Sequence, residues 1–148
     1  MGAYRVIDVP PVTSNILDVL RQRQAGLIHA TGDILVFQSD DHIVFDDLNL
    51  VEPLMRALDA DVLVPSRWTR IRGIPEPLND GRREGYAPFH CAAYRRRVLD
   101  ECPWMVADGE PISLDVRHSN AMKLAGFRIV WTDELQVYDI EPRGNGCL

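Results

Sequence analysis

An α/β fold, a mixed sheet flanked by helices, is what this sequence predicts, and three features carry the expectation. Tyr4 to Gln38 reads as strand, helix, strand, the order of a βαβ unit with parallel pairing. Within it, Ile34 to Phe37 is an apolar run of strand length that stops at two adjacent acids, Asp40 and Asp41. Later, a helical stretch from Ile112 to Ala125 gives way to two β-rich segments. A chain of 148 residues is long enough for a single domain with one core, here taken as 1–148.

The elements follow in order. Tyr4 to Val9 is rich in β-formers and is ended by Pro10-Pro11. Ser14 or Asn15 caps a helix running to about His29, with Ile16, Leu17, Leu20, Leu27 and Ile28 largely on one stripe and Gly32 as its stop signal. Ile34 to Gln38 is the next strand. Asp46 or Asp47 offers the N-cap of a second helix whose Leu48, Val51, Leu54, Met55 and Leu58 keep helical spacing, with Pro53 tolerated in its first turn. Val62 to Pro65 reads as a buried strand, Phe89 to Tyr94 as another, and Arg95 to Glu101 as a short helix. The helix from Ile112 to Ala125 ends at Gly126 and offers Leu114, Ala121, Met122 and Leu124 or Ala125 to the core. Phe127 to Trp131 and Leu135 to Tyr138 are read as two strands separated by Thr132, Asp133 and Glu134. His118 is read as structural and Cys91 as a buried thiol in a strand.

Composition narrows the function classes. No apolar run approaches the roughly 20 residues that span a bilayer, and no signal-peptide pattern opens the chain, so the cytoplasm is the simplest compartment. The three cysteines are too far apart for a CxxC knuckle or redox pair. A net charge of −6 argues against broad nucleic-acid binding. Arg67 to Arg97 departs from that balance, with eight arginines against Glu76, Asp80 and Glu84. Between Ser66 and Pro88 this stretch is punctuated by glycine and proline, as in long binding loops, and Trp68 and Tyr86 within it could stack on a sugar or a base. A solvated, hydrophobically anchored loop accounts for the same composition.

Adjacent carboxylates at the end of a buried strand suit a hard divalent cation, Mg²⁺ or Mn²⁺, shared with phosphate oxygens of a ligand. A capped and solvated turn is the other reading. Arg67, with Arg70 and Arg72, could neutralise a leaving diphosphate, or could be a surface guanidinium.

The block ATGDILVFQSDDHIVF, followed by an amphipathic helix and DVLVP, resembles the middle of GT-A glycosyltransferases, particularly the inverting family 2-like group. A second block, GEPISLDVRHSNAMKLAGFRIVWTDELQVYD, resembles that group's "GED" helix and the strand after it, with Glu110, Leu114, Arg117, Gly126, Phe127, Arg128 and Ile129 in register. The resemblance covers about Tyr4 to Glu141 and implies a GT-A-like, Rossmann-like mixed sheet, shortened at the N-terminus. It places the DxD motif on Ser39, Asp40 and Asp41. Metal ligands are then Asp41, Asp40 and Asp139; nucleotide-sugar contacts are Ser39, Asp40 and Arg67; the acceptor base is Glu110 or, less directly, Asp115.

The chain departs from that pattern at three positions. Ser39 replaces an acid, Pro111 replaces the Asp that commonly serves as base, and Asp139 replaces a His at the metal site. The front strands that grip the nucleotide, "PxYN" and "DDGS", do not occur. The resemblance therefore implies a metal-dependent transferase using a nucleotide-diphosphate sugar and a saccharide, lipid or protein acceptor, with a partner chain or upstream segment completing the nucleotide site. The alternatives are a non-catalytic module of the same fold and a metal-dependent phosphoryl or nucleotidyl transferase.

Overall fold

The computed structural model describes residues 16–38, 43–70, 85–88, 91–104 and 114–139, together with 5, 7, 76 and 77. Its elements are α1 (Ile16–His29), β1 (Ile34–Gln38), β2 (Ile43–Phe45), a 3-10 turn (Leu48–Leu50), α2 (Val51–Ala57), β3 (Val62–Arg70), β4 (Glu76–Pro77), β5 (Cys91–Arg95), α3 (Arg96–Glu101), α4 (Leu114–Leu124) and β6 (Ile129–Asp139). The strand order is β1-β5-β3-β6-β2, with β4 paired to β3.

Period-two alternation sorts the strand residues onto two cores. Leu35, Val62, Val64, Ala92 and Tyr94 point to one face, where Leu27 of α1, Val98 and Leu99 of α3 and Met122 of α4 cover them. Leu63, Cys91, Ala93, Leu135 and Val137 point to the other, covered by Val51, Leu54 and Met55 of α2. The single core expected from chain length is thus split by the sheet into two layers.

Most element positions agree with the sequence reading, and several differ. The parallel partner expected for β1, Tyr4 to Val9, lies outside the described residues except for Arg5 and Ile7, which belong to no regular element. The described partner of β1 is β5, and it runs antiparallel. Asp47 caps the 3-10 turn by accepting from the Asn49 N–H at 2.9 Å, and Pro53 falls in the first turn of α2, where no intrahelical donor is lost. Gly126 takes the left-handed conformation that ends α4, with φ 88°. Gly32 does not take it; the carbonyls just past α1 are met by Arg96, whose Nε donates to Gly32 and whose terminal nitrogen donates to Ala30. Of the α4 residues offered to the core, Met122 is fully buried, whereas Ala121, Leu124 and Ala125 are exposed.

The two strands expected at Phe127 to Tyr138 are one, β6. Val130, Leu135 and Val137 face the same core although 130 and 135 differ by an odd number, so the alternation slips between them. An irregularity opposite Pro65 and Arg67 takes up the slip, and it makes Thr132 to Glu134 look like a break. β3 likewise runs on to Arg70, so the start of the expected loop 66–88 is strand, and Glu76-Pro77 pairs back on Trp68 and Arg67.

Only residues 39–42 join β1 to β2, which stand at opposite ends of the strand order. Four strand spacings make roughly 19 Å, whereas five residue steps reach about 17 Å fully stretched, so the sheet has to coil. The irregularity in β3 and β6 lies where such a bend is needed, and β1 and β2 come close to one another.

Candidate functional site

Because β3 and β6 are parallel and β5 is antiparallel to both β1 and β3, the strands β1, β3 and β6 end at the same edge of the sheet. Carboxyl-terminal strand ends are where open α/β sheets bind ligands. Ser39, Asp40 and Asp41 directly follow β1; they, and Glu110, lie outside the described residues. Asp139, described by its backbone alone, closes β6 with Ile43 in register on one side and Arg70 on the other. Ile43, the residue in register with Asp139, is two residues past Asp41 in sequence.

Arg67 is exposed and sits at the irregularity, in register with Gln136, three residues short of the strand end. Arg70 is the arginine in register with Asp139. Beside Arg67, Ser66 is buried and its hydroxyl donates to Asp133. Among the described residues no group of three or more His, Cys, Asp or Glu is close enough to hold a metal ion. Of the carboxylates expected to do so, Asp40 and Asp41 lie outside the described residues and Asp139 is described by its backbone alone; carboxylate oxygens are the ligand type Mn²⁺ and Mg²⁺ prefer.

Below that edge lies an aromatic cluster. Phe37, next to last in β1, meets Trp104 edge-on at 4.8 Å and Tyr94 at 5.7 Å, and Trp104 lies 5.1 Å from the His118 ring. The Arg23 guanidinium stacks over Phe37 at 5.1 Å and over Trp104 at 6.0 Å, with its Nε out of reach of solvent. Burial lowers the pKa of Arg23, partly offset by Tyr94 and Cys91. Burial likewise raises Tyr94 and Cys91, and the nearby Arg23 cation opposes both shifts. Cys91 is therefore a protonated core thiol, as its place in a strand suggested. His118 is depressed by burial, while its Nε2–H bond of 2.6 Å to the Cys102 carbonyl works in the opposite direction.

The sequence reading missed Arg23. Its signal was a charge inside an apolar stripe, since Leu20, Arg23 and Leu27 follow i, i+3, i+7 spacing.

Asp115 of α4 is half-buried, and both its oxygens are engaged. Oδ2 accepts from the Tyr86 hydroxyl at 2.5 Å, and Oδ1 accepts from the Val116 N–H at 2.9 Å. The two residues, singled out separately in the sequence, belong to one unit.

This mixed sheet, with helices on both faces, is similar in fold to a glycosyltransferase. It matches S. aureus TarS residues 1–349, a glycosyltransferase, with a TM-score of 0.57 and 18% identity over 82% of this chain. The chain spans 40% of the length of that TarS chain. No family model matches the sequence, and no curated protein does. Among the described residues no helix is long and apolar enough to cross a membrane.

Proposed function

We propose that the chain is a GT-A-type glycosyltransferase domain that transfers a sugar from a nucleotide-diphosphate sugar to an acceptor hydroxyl with a divalent cation, Mn²⁺ or Mg²⁺. The observation that carries the reading is the register of Asp139 with Ile43, two residues beyond Asp41, at the edge where β1, β3 and β6 end. Asp41, Asp40 and Asp139 would hold the cation, and Ser39 would contact the nucleotide. When bound, the cation supplies Lewis-acid stabilisation of the leaving diphosphate.

The protein's own groups have separate tasks. Arg70, in register with Asp139, is better placed than Arg67 to meet charge on the diphosphate. Glu110 would take the acceptor's proton, since Pro111 cannot and Asp115 already holds Tyr86 and the Val116 N–H. A partner chain or upstream segment would complete the nucleotide site.

The test is hydrolysis or transfer from a panel of sugar nucleotides with and without Mn²⁺, comparing wild type with Asp41→Ala. Metal-dependent turnover that disappears in the variant is expected; equal turnover in both removes the assignment. Metal-dependent binding without turnover would instead favour the non-catalytic module, to which Pro111 points. Pyrophosphate release from a nucleoside triphosphate would favour a nucleotidyl transferase.

A further inference from the structure

The segment 85–88 returns from the arginine-rich stretch and is tied down on α4 and β6 at Gly85, Tyr86 and Ala87. The Tyr86 hydroxyl donates to Asp115, the Tyr86 carbonyl accepts from the Trp131 indole N–H at 2.9 Å, and the Ala87 N–H donates to the Ser119 hydroxyl at 2.9 Å. Ser119 in turn donates to the Asp115 carbonyl at 2.7 Å. Gly85 lies so close to Lys123 that an added Cβ would come within 2.2 Å of its Cδ. Asp115, Ser119 and Lys123 are spaced by four, so a single stripe of α4 makes all three contacts.

The clamp lies beside the aromatic cluster and leads into β5. Tyr86 is five residues before Cys91, and Cys91 is in register with Gln38, the residue before Ser39. Asp115 is close enough to Tyr94 to push its pKa up, which sets it beside the aromatic cluster. Tyr86 remains partly exposed, so a ring held at its hydroxyl, its carbonyl and the following amide still presents surface.

An aromatic ring immobilised before binding loses little freedom when a ligand stacks on it. Its natural ligand is the apolar C–H face of a pyranose, which meets a π-face while the sugar hydroxyls stay in water. We propose that Tyr86, fixed by Asp115, stacks on the acceptor's pyranose ring. This rests on the glycosyltransferase reading for the role of the sugar, although the stacking itself can be measured without it.

The experiment is an NMR titration of the full chain, following the Trp131 indole N–H, with methyl β-D-glucopyranoside and methyl N-acetyl-β-D-glucosaminide. Sorbitol, which has hydroxyls and no ring face, is the control. Saturable shifts with a glycoside but not with sorbitol are expected. Tyr86→Ala keeps the backbone tethers and should abolish them. Asp115→Ala should weaken binding roughly fivefold to tenfold, and Asp115→Asn, which keeps an acceptor for the phenol, should restore it. No shift with either glycoside, equal shifts with sorbitol, or unchanged binding in Tyr86→Ala overturns the proposal. Calorimetry with sugar nucleotides and Mn²⁺ reads the other question separately: glycoside stacking without nucleotide-sugar binding retains the platform and removes its acceptor role. Nucleotide-sugar binding without glycoside stacking removes the platform alone.

Discussion

The two edges of the sheet use the same residue types for opposite ends. At the edge where β3 begins, Asp33, Asp59, Asp61, Arg95, Arg96 and Arg97 line a surface hollow of about 490 Å³. Several of its charged side chains bind the chain's own backbone. Arg95 donates to the Ala60 carbonyl, Arg96 to those of Ala30 and Gly32, and the neighbouring Arg128 to those of Leu58 and Asp59. Asp61 joins the Arg97 guanidinium and the Arg128 N–H at 2.6 and 2.8 Å. At the far edge, Asp139 closes β6 in register with Ile43 and Arg70, and Asp40 and Asp41 precede Ile43 in sequence. An arginine that caps a helix end or fills an open carbonyl is structural whatever its exposure. Counting eight arginines between residues 67 and 97 therefore mixed two populations, of which Arg95 and Arg96 bind backbone carbonyls of the fold.

This contrast can be broken most sharply by exchanging activity for stability. Asp41→Ala should reduce metal-dependent turnover by ~100-fold or more while leaving the denaturant midpoint in place. If the midpoint falls with the activity, the acid edge is as structural as the other. Tyr94→Ala, which empties a fully buried aromatic site between the edges, should cost about 3–5 kcal/mol in a urea titration and take both edges down together.

Asp61→Ala should cost about 1–3 kcal/mol, because it leaves a backbone N–H and a guanidinium without their acceptor, and should leave turnover unchanged. Arg97→Ala should cost under about 1 kcal/mol, since that side chain is 64% exposed whereas Asp61 is 13% exposed. Equal losses in the two variants would mean that the ion pair, and not the backbone bond, anchors this edge. Gly85→Ala should cost about 1–2 kcal/mol, mainly from its positive φ, because the Lys123 side chain can swing aside.

The last effect is a pH dependence. His118 has its folded pKa depressed below the ordinary 6.5 by burial, so the unfolded chain takes up a proton that the folded chain does not. Stability should be level above 6.5 in this respect and fall as pH drops below it, by at most ~1.4 kcal/mol per pH unit, until the folded pKa is reached. His118→Gln should flatten that part of a stability profile measured from pH 5 to 8; an unchanged slope would assign it to other groups.

Local chemistry was legible from residues close together in sequence. The helix from Ile16 to His29, the strand Ile34 to Gln38, the Asp47 cap and the Gly126 stop all follow from periodicity and turn residues within a few positions. So did the suspicion that Asp40 and Asp41 carry chemistry. What failed was everything set by a neighbouring strand. The offset in β6 exists only against Pro65 and Arg67 of β3, so the sequence showed a break where the chain is continuous. Arg96 binds the carbonyls of Ala30 and Gly32, just past α1, from far along the chain, which no local signal at Gly32 reveals.

The sequence by itself determined the alternation of helices and strands, the two faces of the sheet and the residue types available at the end of β1. Tertiary structure alone decided that Asp139 registers with Ile43, that Arg70 rather than Arg67 reaches the strand end, and that Asp115 holds Tyr86. The reason is that periodicity fixes which way a side chain points along its own element, whereas register and direction belong to pairs of strands and are set by packing across the sheet.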